Sequence, residues 1–524
     1  MTEPQIFRSA VGGAPASGLT VRRIAVALSI LAVLVVAGYF GYQFLFKPYS
    51  PLDTPLGQTF GRALPTFLID VQHDLKQGVP PSALEERAGR VLDPKSREAL
   101  GPKAVQHFEA MLRAQVRLEA ARTGPRDLDD LFTRESIAFN DEAAARGLPY
   151  FLESTLIRYH RDGVTLPVIY AYYVERESHL RGADRAVRAL HVRRIDDLNI
   201  ASAAMGYTRP SSTVALILLD HVEGHLLQYV LPAVAQEGDT VLVDTESLDP
   251  DSPWQRELRD RSTAIVREAY ASVPGVSPAA VQELGTLLYR RRELVRSWMK
   301  TLDKRNVRLR TPSRLIPEAN YAEELRGRVT GLEEWGALHG RLLEQEVLQA
   351  FDTVRDQYAR SIEQHEAQHQ LDYARTTKRM PPRIAEVMGM EGALELTERS
   401  FNAYVVGEVS AYLAEIARAP DSPSLLLMVL LQNAWSAEQW GGAYCYAALA
   451  VLDAIGRELG LPDEKLTGSG QVRRDKVTSR FTAVTSKPPE EIRKAARRAW
   501  EGAFDATLPD VTQVKTTQNK PWRH

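Results

Sequence analysis

His365 and His369 stand four residues apart and enclose Glu366, in the pattern His365-Glu366-Ala367-Gln368-His369. On an α-helix, residues four apart lie on one face, so both imidazoles can reach a single Zn²⁺. The intervening glutamate can then act as general base toward a water that the ion activates. The chemistry this predicts is metal-assisted hydrolysis. Upstream, Leu343, Val347, Phe351, Val354, Tyr358 and Ile362 step by threes and fours, and the same rhythm lands on both histidines. The pair is expected on the buried stripe of a long helix, as a metal site or as two hydrogen-bonded core histidines.

Two imidazoles do not complete a catalytic zinc site; a third protein ligand is needed, with a fourth position left to water. His369 is followed by Gln370-Leu371-Asp372-Tyr373, so no His-x-x-Gly-x-x-His continuation supplies it. Residues 401–416 are apolar at helical spacing, and Glu408 falls on the stripe of Phe401, Tyr404, Tyr412 and Glu415. A carboxylate at such a core position, flanked by small Gly407, Ser410 and Ala411, needs a partner because burying it alone is costly. That partner is Zn²⁺ or an arginine. Glu398 and Glu415 are alternative ligands, and Glu391 and Glu395 lie nearer the preceding turn. Tyr412, one turn past Glu408, is a candidate to stabilise an oxyanion or to pack in the core; His339 and Tyr404 are further candidates. Asp372 suits a supporting hydrogen bond or a surface position better than the metal.

Residues 361–416 resemble the gluzincin-type zinc metallopeptidases, whose H-E-x-x-H helix is followed by a glutamate ligand on a later helix. The resemblance implies that His365, His369 and Glu408 hold Zn²⁺, that Glu366 is the catalytic base, and that a zincin-like domain hydrolyses peptide bonds of a protein or peptide substrate. The gap from His369 to Glu408 is longer than in thermolysin-like enzymes. No Gly-x-Met-Glu-Asn exopeptidase signature is present, so aminopeptidase activity is not implied. Two other classes compete. A di-iron bundle could use Glu366-Ala367-Gln368-His369 but needs a second E-x-x-H, which the helical half lacks. A non-catalytic, membrane-tethered helical scaffold would keep the motif as a structural or vestigial metal site.

The elements that would position these residues divide the 524-residue chain into several parts. Sixty-five basic against 67 acidic residues leave a net charge of −2, which gives no reason to expect a nucleic-acid partner. The single cysteine, Cys445, excludes an internal disulfide and a multi-cysteine zinc site. Residues 24–46 carry no formal charge and are long enough to cross a bilayer, with Arg22-Arg23 before them and Tyr39, Tyr42 and Lys47 at the far end. They are expected to be a transmembrane anchor contacting lipid, with a cytoplasmic tail over 1–23. A cleaved signal peptide is the alternative. The expected location is a bacterial inner membrane, single-pass, with the main domain in the periplasm.

Residues 48–147 read as a helical region, broken at Pro80-Pro81 and Gly124-Pro125. From 148 to 250 the period shortens. Runs at 150–159, 164–174, 186–192, 214–219 and 226–230 predict a small antiparallel-sheet module. Within it, His221-Val222-Glu223-Gly224-His225 is either a metal-gripping strand or a hairpin turning at Glu223-Gly224. Residues 249–260 are rich in turn formers and mark a boundary. Residues 255–508 form the mainly helical metallopeptidase-like domain, and 509–524 a flexible tail. Residues 306–315 alternate briefly, as an edge strand near the metal helix or as a plain loop. The predicted fold class is therefore α+β: a transmembrane helix, an antiparallel-sheet module and a helical catalytic domain. Oligomeric state leaves no signal.

Overall fold

The computed structural model describes residues 49–522, apart from 122–125, 160–163, 184, 197–203, 210–213, 239–251, 305–306, 308, 310, 317–320, 374–378, 391–394, 398–399, 437–439 and 469–470. Pro51–Pro521 form one compact unit.

The unit is mixed α/β, built on a six-stranded sheet. Its strands are β1 (Tyr150–Tyr159), β2 (Val164–Gly182), β3 (Arg185–Arg194), β4 (Gly206–Thr208), β5 (Val214–Leu218) and β6 (Val511–Gln518). The order is β1-β2-β3-β5-β4, and β6 pairs with β2. β1, β2 and β3 are antiparallel neighbours, but β3 and β5 run parallel, with Arg188 opposite Val214. β4 returns antiparallel along β5 and leaves its far side at the edge.

Alternation along the strands sends Val187, Ala189, Ala215 and Ile217 to the main core, while Leu190, Val192, Leu216 and Leu218 form a smaller cluster with Tyr172 and Val174 on the other face. The main core continues into the helices that carry the chemistry. These are α1 (Leu219–His225), α2 (Gln345–Asp372), α3 (Phe401–Arg418), α4 (Pro423–Trp435), α5 (Ala443–Glu458) and α6 (Pro489–Phe504). α2 buries Val347, Ala350, Phe351, Val354, Tyr358, Ala359 and Ala367. α3 starts at Ser400, whose Oγ accepts from Ala403 N at 3.1 Å, and it ends at Ala419, whose extended φ/ψ leaves the helix.

The fold class expected from sequence needs correction on several points. No helix among the described residues is long and apolar enough to cross a membrane, and the expected span 24–46 and tail 1–23 lie outside the described residues. The sheet is not a small antiparallel module. It has a parallel pair, takes its sixth strand from the C-terminal end, and shares a core with α2. Residues 226–230 are helical rather than extended. An apolar run of this length suits a buried helix as well as a strand, and the packing of Leu226, Leu227 and Val230 into the main core decides it. The segment past 509, expected to be a loose tail, holds β6. Leu343 precedes α2 and is 42% exposed, so the buried stripe starts at Val347. Among 306–315, the described residues form no strand.

The His221–His225 cluster is neither strand nor hairpin; it is helix α1. His221 Nδ1 lies 2.6 Å from the Ala204 carbonyl oxygen. Glu223 is buried between Arg193 and Arg355, the latter donating from 3.1 Å. His225 stacks on Tyr358, with ring centroids 5.9 Å apart, and burial pushes its pKa down to about 4. Its residues hold the sheet against α2 instead of gripping a metal.

Candidate metal centre

α2 and α3 cross with their small and polar residues in contact, and three side chains converge there. His365 and His369 project from α2 and Glu408 from α3, with one ligand atom from each lying within 4.8 Å of the others. The two Nε2 atoms face each other at 3.2 Å. His365 Nε2 is 3.5 Å from Glu408 Oε2, and His369 Nε2 is 3.6 Å from Glu408 Oε1. Neighbouring ligands on bonds of about 2.0–2.1 Å at the tetrahedral angle are separated by about 3.3 Å. The 3.2 Å between the two Nε2 atoms matches one such edge, and each imidazole has a different Glu408 oxygen at 3.5 or 3.6 Å, so the three side chains form a possible metal-binding triad.

Electrostatics set the protonation of these groups. At 3.2 Å the two Nε2 atoms cannot both carry protons. Burial and the neighbouring His365 hold His369 neutral, with its pKa down at about 4, leaving a lone pair to donate. Burial works against ionisation of Glu408, yet the two imidazoles beside it keep its carboxyl below the usual range. Its Oε2 is buried and accepts no hydrogen bond of normal geometry. Burial opposes a charge on His365, but Glu408 and Glu415 hold its pKa well above the usual imidazole range, so a metal ion would have to displace that proton to use both imidazoles with the Glu408 carboxylate.

A supporting shell surrounds the triad. Glu415, one of the alternative ligands, instead faces the other nitrogen of His365, with Oε2 3.1 Å from Nδ1. The Nδ1–H donates to this carboxylate and turns Nε2 toward Glu408. Tyr412 packs its ring on the His365 ring, with centroids 4.4 Å apart and planes 61° to each other. That places it against a residue of the possible triad. Asp372 accepts at 2.8 Å from Nε2 of Gln368, a residue outside the triad. His339 takes its charged surroundings from Arg291. Glu395 forms an isolated bridge with Arg379, while Glu391 and Glu398 lie outside the described residues.

Glu366 is buried, 4% exposed, and its Oε2 has no hydrogen-bond partner among the described residues. Burial pushes its pKa up to about 8; Glu408 and Glu415 add to this and His365 opposes it. A carboxyl tuned toward neutrality can take a proton and give it up again.

Sequence reasoning missed the strand beside Glu366. Gly206 of β4 comes so close that a Cβ there would stand 2.9 Å from Glu366 Oε1 and 2.7 Å from Ile362 Cγ2. Gln370 Nε2 donates to Thr208 Oγ1 and, at 3.2 Å, to the Arg209 carbonyl, and Tyr373 Oη to the Thr208 carbonyl at 3.4 Å. A three-residue strand has no readable period; the lone glycine at 206 was the one signal. Also missed were Tyr373 and Tyr444, which with Tyr404 lie within the fields of Glu366 and Glu408.

α2 is held in register by a buried network just before the motif. His191 Nε2 is 2.6 Å and Arg176 Nη2 3.3 Å from Glu363 Oε2. β2 and β3 thereby fix the helix turn from which His365 and Glu366 project. Compared with known protein families, curated proteins and solved structures, the chain matches none.

Proposed function

We propose that this protein is a zinc-dependent metallopeptidase that hydrolyses peptide bonds in protein or peptide substrates, with Glu366 as general base. The observation that carries the proposal is the convergence of His365, His369 and Glu408, one ligand atom of each within 4.8 Å of the others, beside the buried Glu366, whose Oε2 has no hydrogen-bond partner among the described residues. Two imidazoles and one carboxylate, with a further position left open, form the donor set of a hydrolytic zinc site. When bound, zinc supplies Lewis acidity, polarising a carbonyl and lowering the pKa of water.

The chain's own residues supply the rest. Glu366 accepts a proton from the attacking water at Oε2 and delivers it to the leaving amine. The Tyr404 and Tyr444 hydroxyls, 2.7 Å apart near Glu408, can donate to the oxygen that gains charge. The side of β4 with no strand partner among the described residues adjoins Glu366 and can pair with the backbone of an extended substrate.

Metal analysis of the full chain tests this, together with a fluorogenic peptide assay. Wild type should hold about one zinc per chain, and His365→Ala and Glu408→Ala should lose it. Glu366→Gln should keep zinc while turnover falls by about 10²–10⁴-fold. Zinc bound by wild type with equal turnover in Glu366→Gln would remove the base assignment. Zinc without turnover of any peptide would favour the alternative, a scaffold with a structural metal.

A further inference from the structure

The approach to the triad is lined by exposed rings, although most large side chains of the described unit are inside it. Phe401 is 46%, Tyr404 50% and Tyr373 41% exposed. Tyr404 meets Tyr444 edge-on at 5.8 Å, and their hydroxyls are 2.7 Å apart. Phe401 meets Tyr446 at 6.1 Å and 90°, and Trp440 lies 6.0 Å from Tyr446. The wall is built from the first turns of α3 and α5, and neither 401–407 nor 443–452 contains a formally charged residue. It adjoins the centre, because Tyr404 stands one helical turn before Glu408 on α3, a Cβ on the intervening Gly407 would lie 3.9 Å from the His369 ring, and the Tyr404 hydroxyl meets that of Tyr444. Exposed rings grouped beside a candidate metal centre are a candidate surface for whatever that centre acts on.

Its distance from the centre defines what it reads. At about 1.5 Å per residue along a helix, Tyr404 lies about 6 Å and Phe401 about 10 Å from Glu408. An extended chain laid along α3 from Glu408 advances about 3.3 Å per residue, so in that orientation these rings meet a side chain about two to three residues from the reacting bond. We infer that the wall selects an extended polypeptide carrying an aromatic or long aliphatic side chain two to three residues to one side of the bond cut. The position of that bond rests on the peptidase reading; the recognition of the side chain does not.

The test uses zinc-loaded full chain and fluorogenic peptides in which one Phe is walked along an otherwise Gly/Ala/Ser sequence. Cleavage gives kcat/KM, and binding of the same peptides to Glu366→Gln gives Kd without turnover. Phe two or three residues from the bond should improve both by about tenfold or more over Gly. Phe401→Ala should bring that ratio to within about twofold of one, and Phe401→Leu should restore part of it. Cleavage without positional preference overturns the inference and leaves the peptidase reading standing. Selective binding that Phe401→Ala abolishes, with no cleavage by wild type, upholds the wall and overturns the peptidase reading. Absence of both overturns both. A dimer that Phe401→Ala dissociates would assign the wall to contact between copies and overturn the inference.

Discussion

Replacing Glu415 by Gln separates a carboxylate that serves the metal from one that serves the fold. Glu415 Oε2 sits 3.1 Å from His365 Nδ1 in a buried position, and burial raises its own pKa while His365 opposes the rise. The carboxylate requires a proton on Nδ1, which leaves the Nε2 lone pair facing Glu408. A glutamine of the same size can donate its amide to Nδ1 instead, stabilising the tautomer that carries its proton on Nε2. Loss of such an outer partner costs about 10–100-fold in metal affinity, or about 1.4–2.7 kcal/mol. Removing a desolvated charge should meanwhile leave the metal-free fold as stable as before, or more so. Zinc affinity by competition with a chromogenic chelator, beside thermal unfolding of the metal-free protein, reads both effects. Affinity within twofold of wild type, or equal losses of affinity and stability, would refute the orienting role. Zinc lost as completely as in Glu408→Ala would make Glu415 a ligand.

Gly206→Ala brings a methyl to within 2.9 Å of Glu366 Oε1, and since this is the free end of a side chain, the glutamate yields. A displacement of about 1 Å at a reacting group costs about 10²-fold, so kcat should fall by that order with KM and zinc content near wild type; a KM effect alone would contradict it. Glu153, only 6% exposed, is pushed from 4.5 to about 7 by burial, with Arg209 opposing. Because its folded pKa lies above the unfolded one, the unfolded chain loses this proton first as pH rises. Stability is then lost between about pH 4.5 and 7, by about 3 kcal/mol from this group. Glu153→Gln should flatten that loss in denaturant titrations across the window, and an unchanged pH profile would remove the assignment.

The motif was legible because it is local: a spacing of four on one helix fixes where His365 and His369 point before any packing is known. Glu408 was legible for a related reason, as a carboxylate on an otherwise apolar stripe. Glu415 lies on the same stripe, and sequence alone could not divide the two roles. Only the crossing of α2 and α3 sets one carboxylate at Nε2 and the other at Nδ1. β4 was invisible because three residues carry no period, and its place depends on contacts with residues far along the chain. Residues 226–230 misled for the opposite reason, since a fully apolar run fits two conformations and tertiary packing chooses. The buried pairing of Glu363 with His191 and Arg176 joins helix to sheet and has no local signature at all.

β6 gives this unit a particular biosynthetic history. It lies along residues 176–182 of β2, and near it the Tyr173 hydroxyl meets the Lys520 carbonyl across 347 residues of chain. Arg176, which helps seat the motif helix, belongs to that same stretch of β2. A ribosome reaches β6 only after every other strand has emerged, so until then the β2 edge remains an unpaired template open to other chains. Closing so long a loop is slow, and chaperones have that interval in which to act. Once β6 is in place its polar, Lys-containing sequence covers the edge.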